Sequence, residues 1–422
     1  MPLAYTMLRQ VPNYNATMAN TALRNYYQNC RKALRVPVDF AIHGNEDQQH
    51  LAISALRDLI IGQLFVNLTF CALLTKTIDS DMVNGRSKNI RVIKIFCLNS
   101  NLLRKVFFAA RPGRTLHLTD LYKTVTVALF HLSTWQRPRV PTELYTAEFR
   151  HWYDNRVYDF GTSRQVVYDT STSQPLMIEN KINMLWLLHL TNFFKKYISD
   201  AAHGIIYHEW RDLEVLEWPR RWQTRLTDGT HMLGRHFKGT YAYVEPNEIA
   251  FVRNPALNRH RLHVMDNFNE EQSSNGFEEF RFTFITDEED ILWPYLFSTI
   301  HGMEQINTSY TARHSGGNAP VHFRVEGPHR TPSSFEARGW LQGVDAQEGI
   351  PGWQKLIMMG FKRQPDGSID PDDMHAYEAI VLPGGQIILG RWWYADTGRD
   401  FLQQSGPFMW WNVDAMHGAD DK

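Results

Sequence analysis

The chain is 422 residues long, which exceeds the usual size of a single hydrophobic core and predicts two or three domains. Lysine and arginine total 44 and aspartate and glutamate total 45, so the net charge of −1 excludes a broad electrostatic basis for binding nucleic acid or an anionic membrane. The three cysteines lack CxxC spacing, which argues against a disulfide framework and a zinc site and predicts a reducing compartment. We expect no cofactor and a cytoplasmic or nuclear location.

Residues 1 to 135 predict a helical region. The apolar run from 56 to 74 approaches the length of a membrane span, but Arg57, Gln63 and Asn67 interrupt it, so a buried pair of helices explains it better. The N-terminus lacks the basic segment, apolar core and small-residue cleavage site of a secretion signal. The sequence therefore predicts neither secretion nor a membrane span.

Residues 136 to 229 predict a mixed connecting region. The part from 139 to 175 is rich in Tyr, Asp, Ser and Thr and has no sustained period, which indicates an irregular connection with one strand at most. Near 181 to 198, apolar residues such as Trp186 and Phe193 recur at helical spacing. A helix with so wide an apolar surface is buried, so we interpret His189 as a core histidine with satisfied hydrogen bonds rather than as a ligand or base.

From residue 230 the hydrophobic period falls to two, which predicts β-strands. The clearest alternation is that of Phe280, Phe282 and Phe284 with Arg281 and Thr283, which places three rings on one face. Short strands joined by loops with Gly, Pro, Asn and Asp favour an up-and-down barrel or a sandwich, and a closed barrel leaves no apolar edge exposed. The predicted strands are 237–244, 261–268, 277–285, 321–326, 335–344, 353–363, 374–382, 386–394 and 407–413.

The best-defined element is a hairpin with the turn sequence LPGG at 382–385. Pro383 at the first corner and Gly384 at the second are typical of a type II turn, in which the second corner has a positive φ. Glycines inside other predicted strands, such as Gly239 and Gly390, indicate sharp bends or the close approach of another part of the chain.

No motif of a common catalytic class is present, since the chain lacks GxSxG, Walker, GxGxxG and HExxH patterns, and we predict no catalytic residue. The acidic stretch from Asp366 to Asp373 has carboxylates at intervals that suggest a calcium loop. An EF-hand loop, however, needs a glycine where Pro371 stands and a glutamate where Tyr377 stands. We therefore interpret the stretch as a solvated hairpin loop, and we predict no metal site.

Two tryptophan pairs, at 392–393 and 410–411, place one indole on each face of their strands. One interpretation is a lumen lined by aromatic rings that holds a small apolar ligand; the other is core on one face and a domain interface on the other. An arginine among indoles can stack, form ion pairs or anchor a ligand. The candidate ligand-binding residues are His375, Tyr377, Arg391, Trp392, Trp393 and Trp410.

The N-terminal region contains a second pattern, formed by leucines and phenylalanines. Leu68, Leu73 and Leu74 are followed, after an insertion, by the segment FFAARP at 107–112. This order resembles a degenerate F-box of fungal proteins, with Thr69 in the place of the helix-breaking proline. The resemblance implies a Skp-type adaptor and a cullin as partners, and it implies that the contact residues are Leu68, Leu73, Leu74 and Phe107.

The second half of the chain contains four blocks rich in glycine and aromatic residues. They are LGRHFKGTYAY at 233–243, EGIPGWQ at 348–354, AYEAIVLPGG at 376–385 and SGPFMWWNV at 405–413. Together they resemble the recurring blocks of a large, mostly uncharacterised protein family of filamentous fungi. The resemblance spans about residues 150 to 415. It implies a calycin-like β-barrel that often follows an F-box.

We therefore predict an α+β protein with a helical, F-box-like region at 1–135, a mixed region at 136–229, an antiparallel calycin-like barrel at 230–415 and a disordered tail at 416–422. Two functions stay open. The first is a non-catalytic recognition protein, namely a substrate adaptor of a cullin-type ubiquitin ligase with the barrel as recognition module. The second is a barrel that binds or isomerises a small apolar molecule in its lumen.

Overall fold

A computed structural model defines the fold in a series of segments of the chain. The described residues are 46–68, 119–131, 160–169, 176–178, 181–199, 205–220, 226–253, 266–268, 277–285, 319–327, 335–364, 366–395 and 405–417. Most of the predicted F-box-like pattern, from 69 onward, lies outside these segments.

The helices of the described segments contribute to one hydrophobic core. They are α1 (Glu46–Leu68), α2 (Asp120–Ala128), α3 (Phe160–Tyr168), α4 (Met184–Ser199), α5 (Tyr207–Asp212) and α6 (Ile249–Arg253). Helix α4 contacts α2, α3 and α5, and its residues Trp186 and Phe193 are buried, so the predicted helix near 181–198 is confirmed. His189 is buried in this core, and its Nδ1 lies 3.1 Å from the Oγ of Ser163 on α3. No described helix has the length and apolar character needed to span a membrane.

The strands form a closed barrel and a small separate hairpin. They are β1 (Met177–Ile178), β2 (Lys181–Ile182), β3 (His236–Tyr243), β4 (Asn267–Phe268), β5 (Glu278–Ile285), β6 (Val321–Glu326), β7 (Glu336–Val344), β8 (Trp353–Arg363), β9 (Ile369–Val381), β10 (Ile387–Tyr394) and β11 (Ser405–Asn412). Strands β3 and β5 to β11 pair in antiparallel succession, and β11 pairs back with β3, which closes an eight-stranded barrel. The predicted antiparallel barrel is confirmed. Strand β4 pairs with the last residues of β3.

Alternate residues of all eight barrel strands meet in one buried cluster that fills the lumen. Rings dominate it: Phe280 and Trp410 lie 4.4 Å apart between centroids, and Phe282 lies 5.2 Å from Phe323. Glycine is required at position 239, because a Cβ there would lie 2.0 Å from Trp410 Cδ1. The middle of the barrel is therefore a packed core rather than an open channel.

The outer face of the barrel wall is also apolar in two places. Leu389, Met409 and Trp411 join the hydrophobic core of the helices, and the Trp411 ring packs edge to face against Trp210 at 4.9 Å. A second outer cluster lies on β7 to β10 and includes Trp393. The wall therefore has apolar residues on both faces, which explains the near-continuous hydrophobic runs of its strands.

The turn between β9 and β10 has the predicted geometry. Gly384 has a φ of 90°, and the N–H of Gly385 donates to the carbonyl of Leu382 at 3.0 Å. This hydrogen bond and the positive φ at the second corner are those of a type II turn.

The acidic stretch differs from its prediction. The loop is shorter than the predicted 366–373, because β9 already begins at Ile369 and Asp373 belongs to that strand. Within the loop, Asp366 accepts hydrogen bonds from the N–H and Oγ of Ser368 at 2.9 and 2.6 Å. Asp373 is held in the sheet by Lys362 of β8, whose Nζ lies 2.5 Å from its carboxylate. A solvated loop was therefore wrong for the second half of the stretch.

Three other segments also differ from prediction. Of the predicted strand 261–268, the described part is β4 alone. Helix α3 lies in a region predicted to be irregular, because a helix this short gains its stability from packing against α4 rather than from its own period. The predicted disordered tail begins too early, since His417 stacks on His236 of β3 with centroids 3.9 Å apart.

Candidate ligand site at the barrel mouth

One end of the barrel carries polar and aromatic side chains on inward positions. The register brings five strand ends together here. They are the end of β3, the start of β5, the end of β8, the first half of β9 and the end of β10. We call the inward residues nearest this end the mouth residues; they are Tyr241, Tyr243, Glu278, His375, Tyr377 and Trp392.

The floor of the mouth is the packed core of the lumen. Trp410 lies beneath the mouth residues, and its ring centroid is 5.9 Å from that of Tyr377 and 4.8 Å from that of Phe408. Phe335, just before β7, packs edge to face against Tyr377 at 6.1 Å. A ligand at this end would therefore rest on aromatic rings and would not pass through the barrel.

The walls of the mouth are aromatic and rigid. Tyr241 and Trp392 meet at 5.4 Å with ring planes 74° apart, and Trp392 lies 5.6 Å from the ring of His375. The indole N–H of Trp392 donates to the carbonyl of Ala242 at 3.2 Å, which fixes the ring. Trp392 and Tyr377 are buried, whereas Tyr241, Tyr243, Glu278 and His375 are partly exposed, so solvent reaches the upper part of the mouth.

Glu278 is the distinctive charged group of the site. It opposes Gly239 across the β3–β5 pair and shares a strand face with Phe280, so its carboxyl group points inward above the rings. Burial alone raises the pKa of Glu278 to about 7. Among the residues that the structure describes, none forms a hydrogen bond or an ion pair with this carboxyl group. Its charge also raises the pKa of Tyr377, after the larger effects of burial and Tyr241.

His375 has the opposite shift. Burial lowers its pKa to about 4, and the nearby Lys362 lowers it further, while Asp373 opposes the shift. The carboxylate of Asp373 lies 3.7 Å from His375 Nδ1 but is held at 2.5 Å by Lys362. At neutral pH the imidazole is therefore uncharged, and it can donate or accept a hydrogen bond without adding a cation to the mouth.

The structure divides the six predicted ligand-binding residues into two groups. His375, Tyr377, Trp392 and Trp410 lie inside the barrel. Arg391 and Trp393 point to the outer face, because neighbouring residues of a strand alternate, so the six do not form one site. There Arg391 donates to Glu378 from Nη2 at 3.1 Å and lies 5.5 Å above the Trp393 ring.

Sequence reasoning missed Glu278, Tyr241 and Tyr243. The signal for Glu278 was present, since the alternation that places Phe280 and Phe282 on one face also places Glu278 on that face. Its burial, however, depends on barrel closure and on the missing side chain at Gly239, which a local period does not reveal.

A groove of about 200 Å³ lies on the outer wall of the barrel. It is lined by Arg324, Glu326, Glu336, Arg338 and Arg363 together with Val325 and Ala337. The carboxylate of Glu336 lies 2.9 Å from Arg363, and the acidic and basic residues nearly balance. This groove therefore lacks the excess charge and the rings of the mouth.

Most of the residues predicted to bind an adaptor protein lie outside the part of the chain that the structure describes. Leu68 is the last residue of α1, while Leu73, Leu74 and Phe107 lie outside the described residues. The adaptor hypothesis therefore stays a prediction. In the described part of the chain, no three His, Cys, Asp or Glu side chains are grouped to hold a metal ion.

The chain matches no protein-family model, no curated protein and no solved structure. The resemblance to a fungal family thus stays a prediction.

Proposed function

We propose that the protein binds a small molecule at the mouth of its barrel, with the mouth residues as the contact surface. The observation that supports this most is the inward carboxyl group of Glu278, which is largely shielded from solvent and has no hydrogen-bond or ion-pair partner among the described residues. Polar groups in such surroundings are normally hydrogen-bonded, and the rare exceptions are concentrated at sites that act on or bind something else.

The rings support the same function. A ligand site is usually a concave, largely apolar surface with a few polar groups that fix orientation. Here Tyr241, Tyr243 and Trp392 supply the apolar surface, while Glu278 and the neutral His375 supply the polar groups. Because Phe280 and Trp410 fill the middle of the lumen, the ligand occupies the end of the barrel and not its length.

We also infer that the barrel is calycin-like. Eight antiparallel strands in next-neighbour order, closed by pairing of the last with the first, are the architecture of small up-and-down barrels that hold one ligand at an end. Helices α3 and α4 pack on the outside of β11 and β10.

The experiment is a titration with N-phenyl-1-naphthylamine, an uncharged dye whose fluorescence rises in apolar surroundings. We expect the full chain to enhance the dye's emission in a saturable manner. Trp392→Phe should weaken the affinity about threefold to tenfold, because one aromatic contact contributes about 0.5 to 1.5 kcal/mol.

Trp393→Phe is the matched control, since this indole is the next residue and lies on the outer face of the same strand. It should bind the dye with an affinity within about twofold of the unaltered protein, because it leaves every mouth contact in place. Equal losses from both substitutions, or no saturable emission from the unaltered protein, would refute ligand binding at the mouth.

A further inference from the structure

Among the described residues, the charges around the mouth leave one negative group without an ion-pair partner. Lys362 is held by Asp373 at 2.5 Å. Lys238, which neighbours Gly239, extends to the outer face, where its Nζ lies 2.6 Å from Glu217 and 3.2 Å from Glu279. Within the described segments, no cation forms an ion pair with Glu278, and burial alone causes its pKa shift.

The remaining titratable groups on the strands around Glu278 do not neutralise it either. On β9, burial holds His375 in its neutral form near pH 7, and the pKa of the Tyr377 hydroxyl is raised well above its usual range. On β3, Tyr241 adds a ring and a hydroxyl group but no positive charge. A second acid, Asp373, is paired with Lys362, so this pair adds no net charge to the mouth.

Rings on the same inner face as this carboxyl group form a corner, and Tyr241 lies two residues beyond Gly239, which opposes Glu278. Tyr241 and Trp392 stand nearly perpendicular at 5.4 Å, and Tyr243 continues the wall at 6.4 Å from Tyr241. Aromatic faces attract a cation through the quadrupole of the ring, most strongly where water is excluded. A carboxylate beside such faces adds direct charge compensation.

We propose that the ligand of the mouth is an organic ammonium ion, with Glu278 as its counter-ion and the rings of Tyr241, Tyr243 and Trp392 around its charged end. This inference rests on the proposed function and specifies its ligand class. The apolar part of the ligand rests against Trp410 and Phe335, which form the floor and the far wall. Binding of the ammonium ion is non-covalent.

The test compares two probes of nearly the same shape, phenyltrimethylammonium and tert-butylbenzene, as competitors of N-phenyl-1-naphthylamine. The first is a permanent cation and the second is uncharged. We expect the cation to bind about tenfold more tightly, because the ring quadrupoles and the carboxylate both favour it. Glu278→Gln should remove the carboxylate's share of this preference and leave at most the weaker contribution of the rings, whereas Glu279→Gln, which alters the next residue on the outer face, should retain the full preference.

The pH dependence provides a second measurement that needs no variant. Because the cation does not titrate, its affinity should rise by about tenfold or more between pH 5.5 and pH 8.5 as Glu278 loses its proton, while that of tert-butylbenzene stays constant. If tert-butylbenzene binds as tightly as the cation in the unaltered protein, the ammonium inference is overturned and binding at the mouth stands. If neither probe displaces the dye and neither binds directly, both proposals fail.

Discussion

The inner and outer faces of the barrel wall differ in how a buried carboxylate is neutralised. On the outer face, the side chain of Glu378 is 6% exposed and lies 3.1 Å from Arg391 and 3.8 Å from Lys355. On the inner face, Glu278 has no cation among the described residues, and burial raises its pKa to about 7. The carboxylate of Glu378 is thus fixed by ion pairs that belong to the fold. The carboxyl group of Glu278 stays available for the ligand that we propose.

The outer ion pair gives the largest expected effect. Replacing Arg391 with Met removes the nearest cation of Glu378 and leaves a nearly buried carboxylate with only Lys355, so we expect a loss of about 2 to 4 kcal/mol in the free energy of unfolding. Chemical denaturation of the full chain measures it. Adding Glu378→Gln should recover part of the loss, because the unpaired charge is then gone.

Lys362→Met is the control for this prediction. Its side chain is 42% exposed and pairs with the partly exposed Asp373, and such pairs contribute about 0.2 to 1 kcal/mol. If Arg391→Met lowered the free energy of unfolding no more than Lys362→Met does, the proposed difference between the paired Glu378 and the unpaired Glu278 would have no energetic basis.

Glu278→Gln should have a smaller effect and the opposite sign. The carboxyl group has a pKa of about 7 in the folded protein against 4.5 in the unfolded chain, so the folded state binds its proton more tightly. The resulting penalty is small below pH 4.5, grows as the pH rises towards 7 and is complete above 7. We expect the Gln variant to be more stable than the unaltered protein by about 1 to 2 kcal/mol at pH 8, with little difference at pH 5.

Thermal unfolding of both proteins across this pH range provides the measurement. Glu279→Gln is the matched variant, since this residue faces outward beside Lys238. A stability difference that does not change with pH would show that Glu278 has an ordinary pKa.

Much of the barrel could be predicted from the sequence because its determinants are local. The period of two placed Phe280 and Phe282 inside, and the pair Pro383-Gly384 specified a turn whose φ of 90° the structure shows. The start of β9 could not be predicted, because the extension through Asp373 depends on Lys362, a residue of a neighbouring strand.

The site was predictable only in part. Four of the six candidate residues face the lumen, but the sequence could not separate Trp392 from Trp393, since alternation defines two faces without saying which is inside. Glu278 was missed because its burial depends on Gly239 and on closure of the barrel, both of which involve strands distant in sequence.

The most direct test of the central claim is the protonation of Glu278 itself. Difference infrared spectra of the unaltered protein against Glu278→Gln, recorded as the pH is raised from about 5 to about 9, isolate the carboxyl band of this one residue because every other acid is common to both proteins. We predict that the band of the protonated acid disappears with a midpoint at about pH 7 and that bound phenyltrimethylammonium shifts this midpoint downward. A midpoint near 4.5, the value of an ordinary glutamic acid, would contradict the claim that the carboxyl group of Glu278 is shielded from solvent and has no ion-pair partner among the described residues.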